Sequence, residues 1–431
     1  MIPSPSAQAA AVDTTSMESL QQLVDEAPPG SVLLMPAGRY RGTLTIAKPL
    51  TLASPEGEET ALIGDGAEPV LIVAADDVSV SGLHIEDEQV KDAPTVEIRG
   101  DRVMLAGLRI VTASHGIWLR GADESTVRDT SIEWSERPEA AAVTTARKGN
   151  GIDLYESHRA AITGNTIRRV HDGIYMENSD ETQVLGNVIE DSRYGAHCMY
   201  TAGTVIRDNV GERNVTGAMV MAVRDVTVER NRFAKQSENV NSQGILLYDA
   251  AATLVQHNVV EGNRVGVYIE SSAGNTVRDN RVYGNFVGMQ LLDAQDNALT
   301  HNAFVGNVTG AQARSSADNR LHGNYWDDFQ GVDTDGDGYS ELPYAINPFF
   351  AGLIQKRPAF QLLFQAPGTL FVEQLYQVGR AAWSIDEAPL MHPPQWDADA
   401  DEGGIPPVAS GMAGAVLLAT AGLIIWKARR K

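Results

Sequence analysis

The amino-acid sequence predicts an all-β fold, a right-handed parallel β-helix, and three observations lead to it. Asparagine recurs at steps of 22 residues, glycine recurs in step with it, and apolar residues fill fixed positions between them. A repeat of this length is typical of a stacked architecture, because a single unit cannot bury its apolar face alone. From Val32 to Trp326 the chain is long enough for about 13 coils, or roughly 60 Å at strand spacing.

The glycines divide the sequence into coils, and each glycine is taken as position zero of its coil. In the coil that starts at Gly173, the apolar residues Ile174, Met176, Val184 and Ile189 occupy positions +1, +3, +11 and +16. Apolar residues at +1 and +3 with polar residues beside them follow the two-residue period of a strand, and a helix would need a 3.6-residue period. We therefore expect three short strands in each coil of about 22 residues.

The asparagine column lies at position +14, where a turn is expected. Asparagine tolerates a left-handed backbone in turns, and its amide can bond the asparagine of the next coil. We therefore predict a structural ladder through the following residues: Asn165, Asn187, Asn209, Asn231, Asn258, Asn280, Asn302 and Asn324.

Two steps between successive glycines are longer than 22 residues. The step from Gly116 to Gly151 is 35 residues, and the step from Gly217 to Gly244 is 27. Both insertions follow the third strand of a coil, so we expect both to protrude from the same corner. Insertions in repeat proteins tend to mark the working face, so the coils between these two insertions are the candidates for function.

The bulk composition excludes some classes of partner. The formal net charge is -22 and the isoelectric point is about 4.8. Such a balance argues against binding nucleic acid or the surface of anionic lipid. The sequence has 1 cysteine, which excludes an internal disulfide.

The remaining segments are assigned by composition. Residues 1–19 contain small residues reminiscent of a cleavage site and are interpreted as a remnant of an export signal. Residues 20–345 form the β-helix, 346–394 an apolar capping or docking region, and 395–407 an acidic, proline-rich linker. Residues 408–426 lack charge and are long enough for one transmembrane helix, and the basic tail 427–431 belongs on the cytoplasmic side. The segments predict a periplasmic or extracytoplasmic protein that is anchored to the cytoplasmic membrane by its C-terminal helix.

Outward positions of two successive coils carry groups that bind soft metals. Positions +2 and +4 hold His197 and Met199 in one coil, then Met219 and Met221 in the next. Stacked in register, they present three thioethers and one imidazole on a small patch, a donor set that suits transient binding of Cu(I). The alternative is that these methionines pack under a loop or a partner, because methionine is common at adaptable surfaces. Cys198 occupies position +3 and is expected in the core.

An acidic stretch near the end of the repeats offers a second candidate site. Asp333, Asp335 and Asp337 alternate before Gly338, as in the first half of a calcium loop. The twelfth position is Tyr344 where a calcium loop has glutamate, so a Ca²⁺ site and a plain Asp/Gly turn are both open.

Other functions are compatible with a long β-helix. A polysaccharide-binding or polysaccharide-modifying protein of the lyase or epimerase type would need acids and bases on adjacent coils. The outward carboxylates Asp153, Glu177 and Glu270 are scattered, which disfavours this enzyme. A third interpretation is an adhesive surface protein without a small ligand.

Several stretches resemble the NosD family, which takes part in the maturation of nitrous oxide reductase in denitrification. They are LQQLVDEAPPGSVLLMPAGRYRGTLTIAKPLTLASPEG from Leu20, the repeats, YGAHCMYTAG from Tyr194, GNYWDDFQGVDTDGDGYSELPY from Gly323, and IDEAPLMHPP ending at Pro394. The resemblance implies an extracytoplasmic, non-enzymatic subunit that works with an ABC transporter of NosF (ATPase) and NosY (permease) type. It also implies that a copper chaperone supplies metal for the copper-sulfur centre of the reductase.

Overall fold

A computed structural model shows a parallel β-solenoid, and the predicted all-β fold of stacked coils is confirmed. The structure describes residues 16–55, 60–236, 242–357 and 383–394, with a few positions between 360 and 380. Each coil adds one strand to sheet A, one to sheet B and one to sheet C, in that order. In the described part of the chain the sheets have 15, 13 and 12 strands, which corresponds to about 13 coils.

The strand bounds follow the three sheets. Sheet A contains Val32–Leu34, Thr51–Ala53, Ser79–Ser81, Met104–Ala106, Thr126–Arg128, Ala161–Thr163, Gln183–Leu185, Val205–Arg207, Thr227–Glu229, Leu254–Gln256, Thr276–Arg278, Ala298–Thr300, Arg320–His322, Ile385–Asp386 and Tyr344–Ala345. Sheet B contains Gly38–Arg41, Thr60–Ile63, His84–Asp87, Arg109–Thr112, Ser131–Trp134, Thr166–Arg168, Val188–Glu190, Val210–Glu212, Arg232–Ala234, Val259–Glu261, Arg281–Tyr283, Ala303–Val305 and Tyr325–Trp326. Sheet C contains Leu44–Ile46, Leu71–Val73, Val96–Ile98, Ile117–Arg120, Ile152–Tyr155, Asp172–Glu177, Tyr194–Met199, Thr216–Met221, Gln243–Tyr248, Val265–Glu270, Val287–Leu292 and Thr309–Arg314.

One continuous apolar core runs along the solenoid. Ile174 and Met176 of sheet C, Val184 of sheet A and Ile189 of sheet B all point into it and are buried. The equivalent residues of neighbouring coils stack on them in register, for example Ile174 on Ala196. Because successive side chains of a strand point to opposite faces, the residues between these core positions face outward.

The asparagine column forms a buried ladder of hydrogen bonds. The backbone N–H and the Nδ2 of Asn187 both donate to Oδ1 of Asn209, at 2.9 and 3.0 Å. The Nδ2 of Asn187 also donates to the carbonyl oxygen of Ile162, at 2.9 Å. Each asparagine thus satisfies buried backbone groups that the turn leaves without a strand partner.

The conformational reason given above for this column is wrong. The left-handed residue is the one before the asparagine, such as Asp208, Arg230 or His257, with φ of 57°, 51° and 54°. Asparagine is used here because its amide both accepts and donates, which a ladder requires.

Two further ladders follow the other corners of the solenoid. One runs through Asn214, Gln236, Asn263, Asn285 and Asn307, and the other through Asn275, Asn297 and Asn319. All three corners of the later coils are therefore closed by stacked amides.

The N-terminal end of the core is covered by a helix, Met17–Glu26. The Ser16 side chain caps it by accepting from the backbone N–H of Ser19, at 3.1 Å. Leu20 and Val24 are four residues apart, lie on the same face of the helix and are buried against the first coils. The helix begins inside the segment 1–19 that the sequence analysis set apart.

The C-terminal end is covered by aromatic rings and a short return of the chain. Trp326 stacks between Phe304 and Tyr344, with ring centroids 4.3 and 4.4 Å away. The strand Ile385–Asp386 comes back to sheet A, where Asp386 pairs with Leu321. A helix, Phe349–Lys356, lies between these elements in the sequence.

The remaining C-terminal assignments fall beyond the described residues. The linker 395–407, the predicted membrane helix 408–426 and the tail 427–431 lie outside them. Among the helices that the structure does describe, none has the length and apolar character needed to cross a bilayer.

Candidate metal centre

Two long loops connect a strand of sheet B to the following strand of sheet C. The first follows the sheet B strand Ser131–Trp134 and contains a short helix, Pro138–Ala141, and a 3-10 turn, Thr145–Arg147. The second follows Arg232–Ala234, and its centre, 237–241, lies outside the described residues. Both lead from sheet B to sheet C, so both insertions leave the solenoid at the same corner.

Between these loops, two adjacent strands of sheet C bring soft donors together. His197 pairs with Met219, and Met199 pairs with Met221. Ala196 and Cys198, which alternate with them, lie in the core, so the four candidate ligands are on the outer side. The three methionines are half-buried, whereas His197 is 6% exposed. Its imidazole is therefore covered by neighbouring side chains although it projects away from the core.

His197 is held by a carboxylate and two aromatic rings. Its Nδ1 lies 2.9 Å from Oδ2 of Asp172. The rings of Tyr175 and Tyr194 meet the imidazole edge-on, with centroids 4.9 and 5.1 Å away. Nε2 of His197 is buried and has no hydrogen-bond partner among the described residues.

Asp172 is itself anchored by a bidentate contact. Nε and Nη2 of Arg193 donate to its two carboxylate oxygens at 2.7 and 2.6 Å, and Asp172 is 1% exposed. Burial opposes ionisation, but the hydrogen bonds from His197 and Arg193 outweigh it and lower the pKa of Asp172 to about 2. The carboxylate is therefore ionised at neutral pH.

Sequence analysis missed both Asp172 and Arg193. Asp172 is the first residue of its sheet C strand and Arg193 directly precedes the next strand, so both lie outside the alternating positions that were used to find outward residues. The signal available in the sequence was a charged residue directly before Gly173 and a second charged residue, at the second position before Gly195.

The donor set fits a soft monovalent cation. Thioether sulfur and imidazole nitrogen suit Cu(I). The outward strand positions from Asp153 to Leu292 carry neither lysine nor arginine, and the nearby guanidinium of Arg193 is paired with the carboxylate of Asp172. Methionine has three rotatable bonds, so half-buried thioethers can rearrange around a metal.

Cys198 is unsuited to a ligand role. Its side chain is fully buried and its thiol lies 3.8 Å from the carbonyl oxygen of Met219. Burial raises the pKa of the Cys198 thiol to about 12, so the thiolate needed for metal binding is not formed at neutral pH.

Tyrosine–glutamate pairs stand on both sides of the methionines. Tyr175 donates to Glu177 and Tyr268 donates to Glu270, both at 2.8 Å. Burial, and then the hydrogen bond to the glutamate, raises the pKa of each tyrosine. These two outward carboxylates already have protein donors.

The alternative of a sugar-modifying enzyme rests on Asp153 and Glu177. Asp153 pairs with Tyr175, and Glu177 pairs with Tyr155, so the two carboxylates occupy different columns. Asp153 accepts from Arg120 at 2.8 Å and from Asn150 at 2.7 Å. A paired acid and base on adjacent coils is therefore not formed by these residues.

A cleft of about 830 Å³ lies under the first loop, and its sheet C residue Trp118 is three strands away from the strand of His197. Trp118, Trp134, His115 and Lys148 line it. Asn150 donates its backbone N–H to Nδ1 of His115 at 3.0 Å, and burial lowers the pKa of His115. This histidine is thus part of the corner structure.

The acidic loop brings together a different set of carboxylates from the one expected. Ligand oxygens of Asp333, Asp335 and Glu341 lie within 4.8 Å of one another. Asp337 is not part of this group, and its Oδ1 accepts the backbone N–H of Tyr339 at 2.8 Å. Glu341, which was not among the expected ligands, joins the group through the fold-back of the chain onto Thr334.

Replacing Asp333 with asparagine should decide between a calcium site and a plain turn. If Ca²⁺ binds, wild type gains melting temperature in millimolar Ca²⁺ and gives heat in isothermal titration, with a Kd of about 10⁻⁴ to 10⁻³ M as in extracellular modules. D333N should lose both signals, while D337N keeps them. No heat and no thermal shift in wild type would leave only the turn.

A β-solenoid with a soft-donor patch on one sheet is the class of protein that this fold and this site define. Residues 137–331, which contain the patch, match the family described as periplasmic copper-binding protein (NosD). The resemblance to this family is therefore confirmed over residues 137–331.

Two curated relatives carry the same name, probable ABC transporter binding protein NosD. The protein of Pseudomonas aeruginosa is 30% identical over 136 residues, which is 30% of this chain and 30% of the relative. The protein of Stutzerimonas stutzeri is 29% identical over 139 residues, which is 31% of this chain and 30% of the relative. The chain thus spans less than a third of each relative that it matches.

Solved structures share the architecture. A PL6 alginate lyase in complex with a trisaccharide has a TM-score of 0.56 at 13% identity, over 71% of this chain and 82% of that one. A family 28 exopolygalacturonase of Yersinia enterocolitica has a TM-score of 0.52 at 12% identity, over 70% of this chain and 75% of that one. At these identities the likeness concerns the fold alone.

Proposed function

We propose that the chain is an extracytoplasmic accessory protein that binds Cu(I) transiently during maturation of the copper-sulfur centre of nitrous oxide reductase. The observation that carries the proposal is the buried, unpartnered Nε2 of His197 on a strand paired with Met219 and beside Met199 and Met221. The described residues contain no other place where three thioether positions and an imidazole share two adjacent outer strands.

The family supports the general role. Its description names a periplasmic copper-binding protein, and both relatives are named as binding proteins of an ABC transporter. The partners proposed on this basis are an ATPase and a permease of NosF and NosY type, a copper chaperone and the reductase. The segment 408–426 is proposed as the anchor that keeps the protein beside the permease.

The proposal assigns no catalysis to this chain. The outward carboxylates Glu177 and Glu270 are bonded to tyrosines, and Asp153 is bonded to Arg120 and Asn150. A general acid or base must instead be free to reach its substrate.

Anaerobic titration of the full chain with Cu(I) against a chromogenic chelator tests the proposal. We expect binding of about one Cu(I) per chain, since the patch offers one group of soft donors. Affinity purification from native membranes, followed by metal analysis, should recover transporter subunits together with copper. Absence of copper binding, or depolymerisation of uronate polymers by the purified protein, would contradict the proposal.

A further inference from the structure

We infer that Asp172 and Arg193 are positioning residues that fix the His197 imidazole with Nε2 as the copper-binding atom. This inference rests on the proposed function, since it concerns the same site. It assigns the ligand atom and two supporting residues that neither the sequence nor the family description identifies.

The neighbours of Nδ1 decide which nitrogen of the His197 imidazole carries the hydrogen. Asp172 is buried and receives two hydrogen bonds from Arg193, so its carboxylate can only accept. Nδ1 of His197, 2.9 Å from Oδ2, must therefore carry the hydrogen. In a neutral imidazole the other nitrogen then presents its lone pair, and metal-binding histidines are commonly oriented in this way by a carboxylate.

Neighbouring side chains also fix the orientation of the ring. Tyr175 and Tyr194 pack edge-on against the imidazole from two sides, at interplanar angles of 63° and 90°. The guanidinium of Arg193 lies 4.2 Å from the centre of the Tyr194 ring, so one arginine holds both the carboxylate and a wall of the pocket. A flipped ring would set a C–H group against Asp172 and lose that hydrogen bond.

The unpartnered Nε2 distinguishes a metal ligand from a histidine with a purely structural role. Buried polar atoms nearly always have a partner, and leaving one without costs about 1–3 kcal/mol. Nε2 of His197 is buried without one, although Nδ1 is tightly bound. A network that served stability alone would satisfy both nitrogens. The unpaired lone pair, next to the thioether strand that carries Met219, is instead the feature a soft metal completes.

The test uses the full chain labelled with ¹⁵N-histidine and needs no copper for its first readout. The chain has 9 histidines, and an H197N variant identifies the signals of His197. We expect the metal-free wild type to show the tautomer with hydrogen on Nδ1, and Cu(I) to shift the Nε2 signal. Finding the hydrogen on Nε2 in wild type overturns the inference, whether or not any variant folds.

The second readout is Cu(I) affinity. D172N should weaken binding about 10- to 100-fold, as for other residues that orient metal ligands, and should change the tautomer of His197. E270Q removes a carboxylate of the same sheet, in the Tyr268–Glu270 pair three coils from His197, and as the matched control it should bind like wild type. A folded D172N with unchanged affinity and tautomer overturns the inference. If wild type binds no Cu(I), the proposed function fails, while the tautomer still reports whether Asp172 orients the ring.

Discussion

Cu(I) binding should disappear when Met199, Met219 and Met221 are all replaced by leucine. These side chains supply the thioethers of the patch, and leucine has a similar volume without a sulfur donor. Exchanges between methionine and leucine usually cost less than about 1.5 kcal/mol each, and all three residues are half-buried at the surface, so the solenoid should remain folded.

The measurement is chelator competition under anaerobic conditions, with circular dichroism as the test of folding. M104L is the matched control, because Met104 is 40% exposed on sheet A, away from the patch. It should bind Cu(I) like wild type. A folded triple variant with unchanged stoichiometry would show that the methionines serve packing or docking, the alternative that the sequence left open.

Replacing Gly266 with alanine should destabilise the solenoid by about 3 kcal/mol, the upper part of the range for overpacking a filled core. An added Cβ would lie 2.5 Å from the carbonyl oxygen of Gly288 and 2.5 Å from Cγ1 of Val282. The next coil's backbone cannot retreat without disturbing its own ladder bonds, so the clash is not easily relieved.

Thermal and urea unfolding, both followed by circular dichroism, check this result. G66A is the control, since a Cβ at Gly66 would meet no atom within 4 Å and its backbone is not left-handed. It should unfold with the wild-type midpoint. Equal midpoints for G266A and wild type would mean that the glycine column is not required by the contact between coils.

Much of the fold could be predicted because it repeats. Ile174 and Met176 point inward because residues alternate between the two faces of a strand, and this holds in every coil. The two-residue alternation and the 22-residue repeat are therefore sufficient to predict which residues form the core. Even the single exception has a local cause. At position +16, Gly211 stands where neighbouring coils have a large apolar residue such as Ile189. A Cβ at Gly211 would be 2.8 Å from the ring of Phe233, the +16 residue of the next coil, which fills the space.

The candidate site was predictable only at the repeating outward positions of the strands. His197 and Met219 were found because they occupy repeating outward positions, whereas Asp172 and Arg193 lie in the two positions before the glycine column, where the residue type changes from coil to coil. Glu341 was missed because its approach to Asp333 depends on how a non-repeating loop folds back. Contacts that occur once leave no period in a sequence.

The last position of the asparagine ladder is filled from far along the chain. The N–H and Nδ2 of Asn324 donate to Oδ2 of Asp386, at 3.0 and 2.9 Å, and Nε1 of Trp326 donates to the same oxygen at 3.2 Å. Every earlier asparagine of the ladder accepts hydrogen bonds at its Oδ1 and donates hydrogen bonds to the next asparagine, so the ladder has a direction. An aspartate carboxylate can only accept hydrogen bonds, so the ladder ends at Asp386. The stacked coils are otherwise much alike, and Asp386 chemically distinguishes the C-terminal end of the described solenoid by terminating the asparagine ladder there.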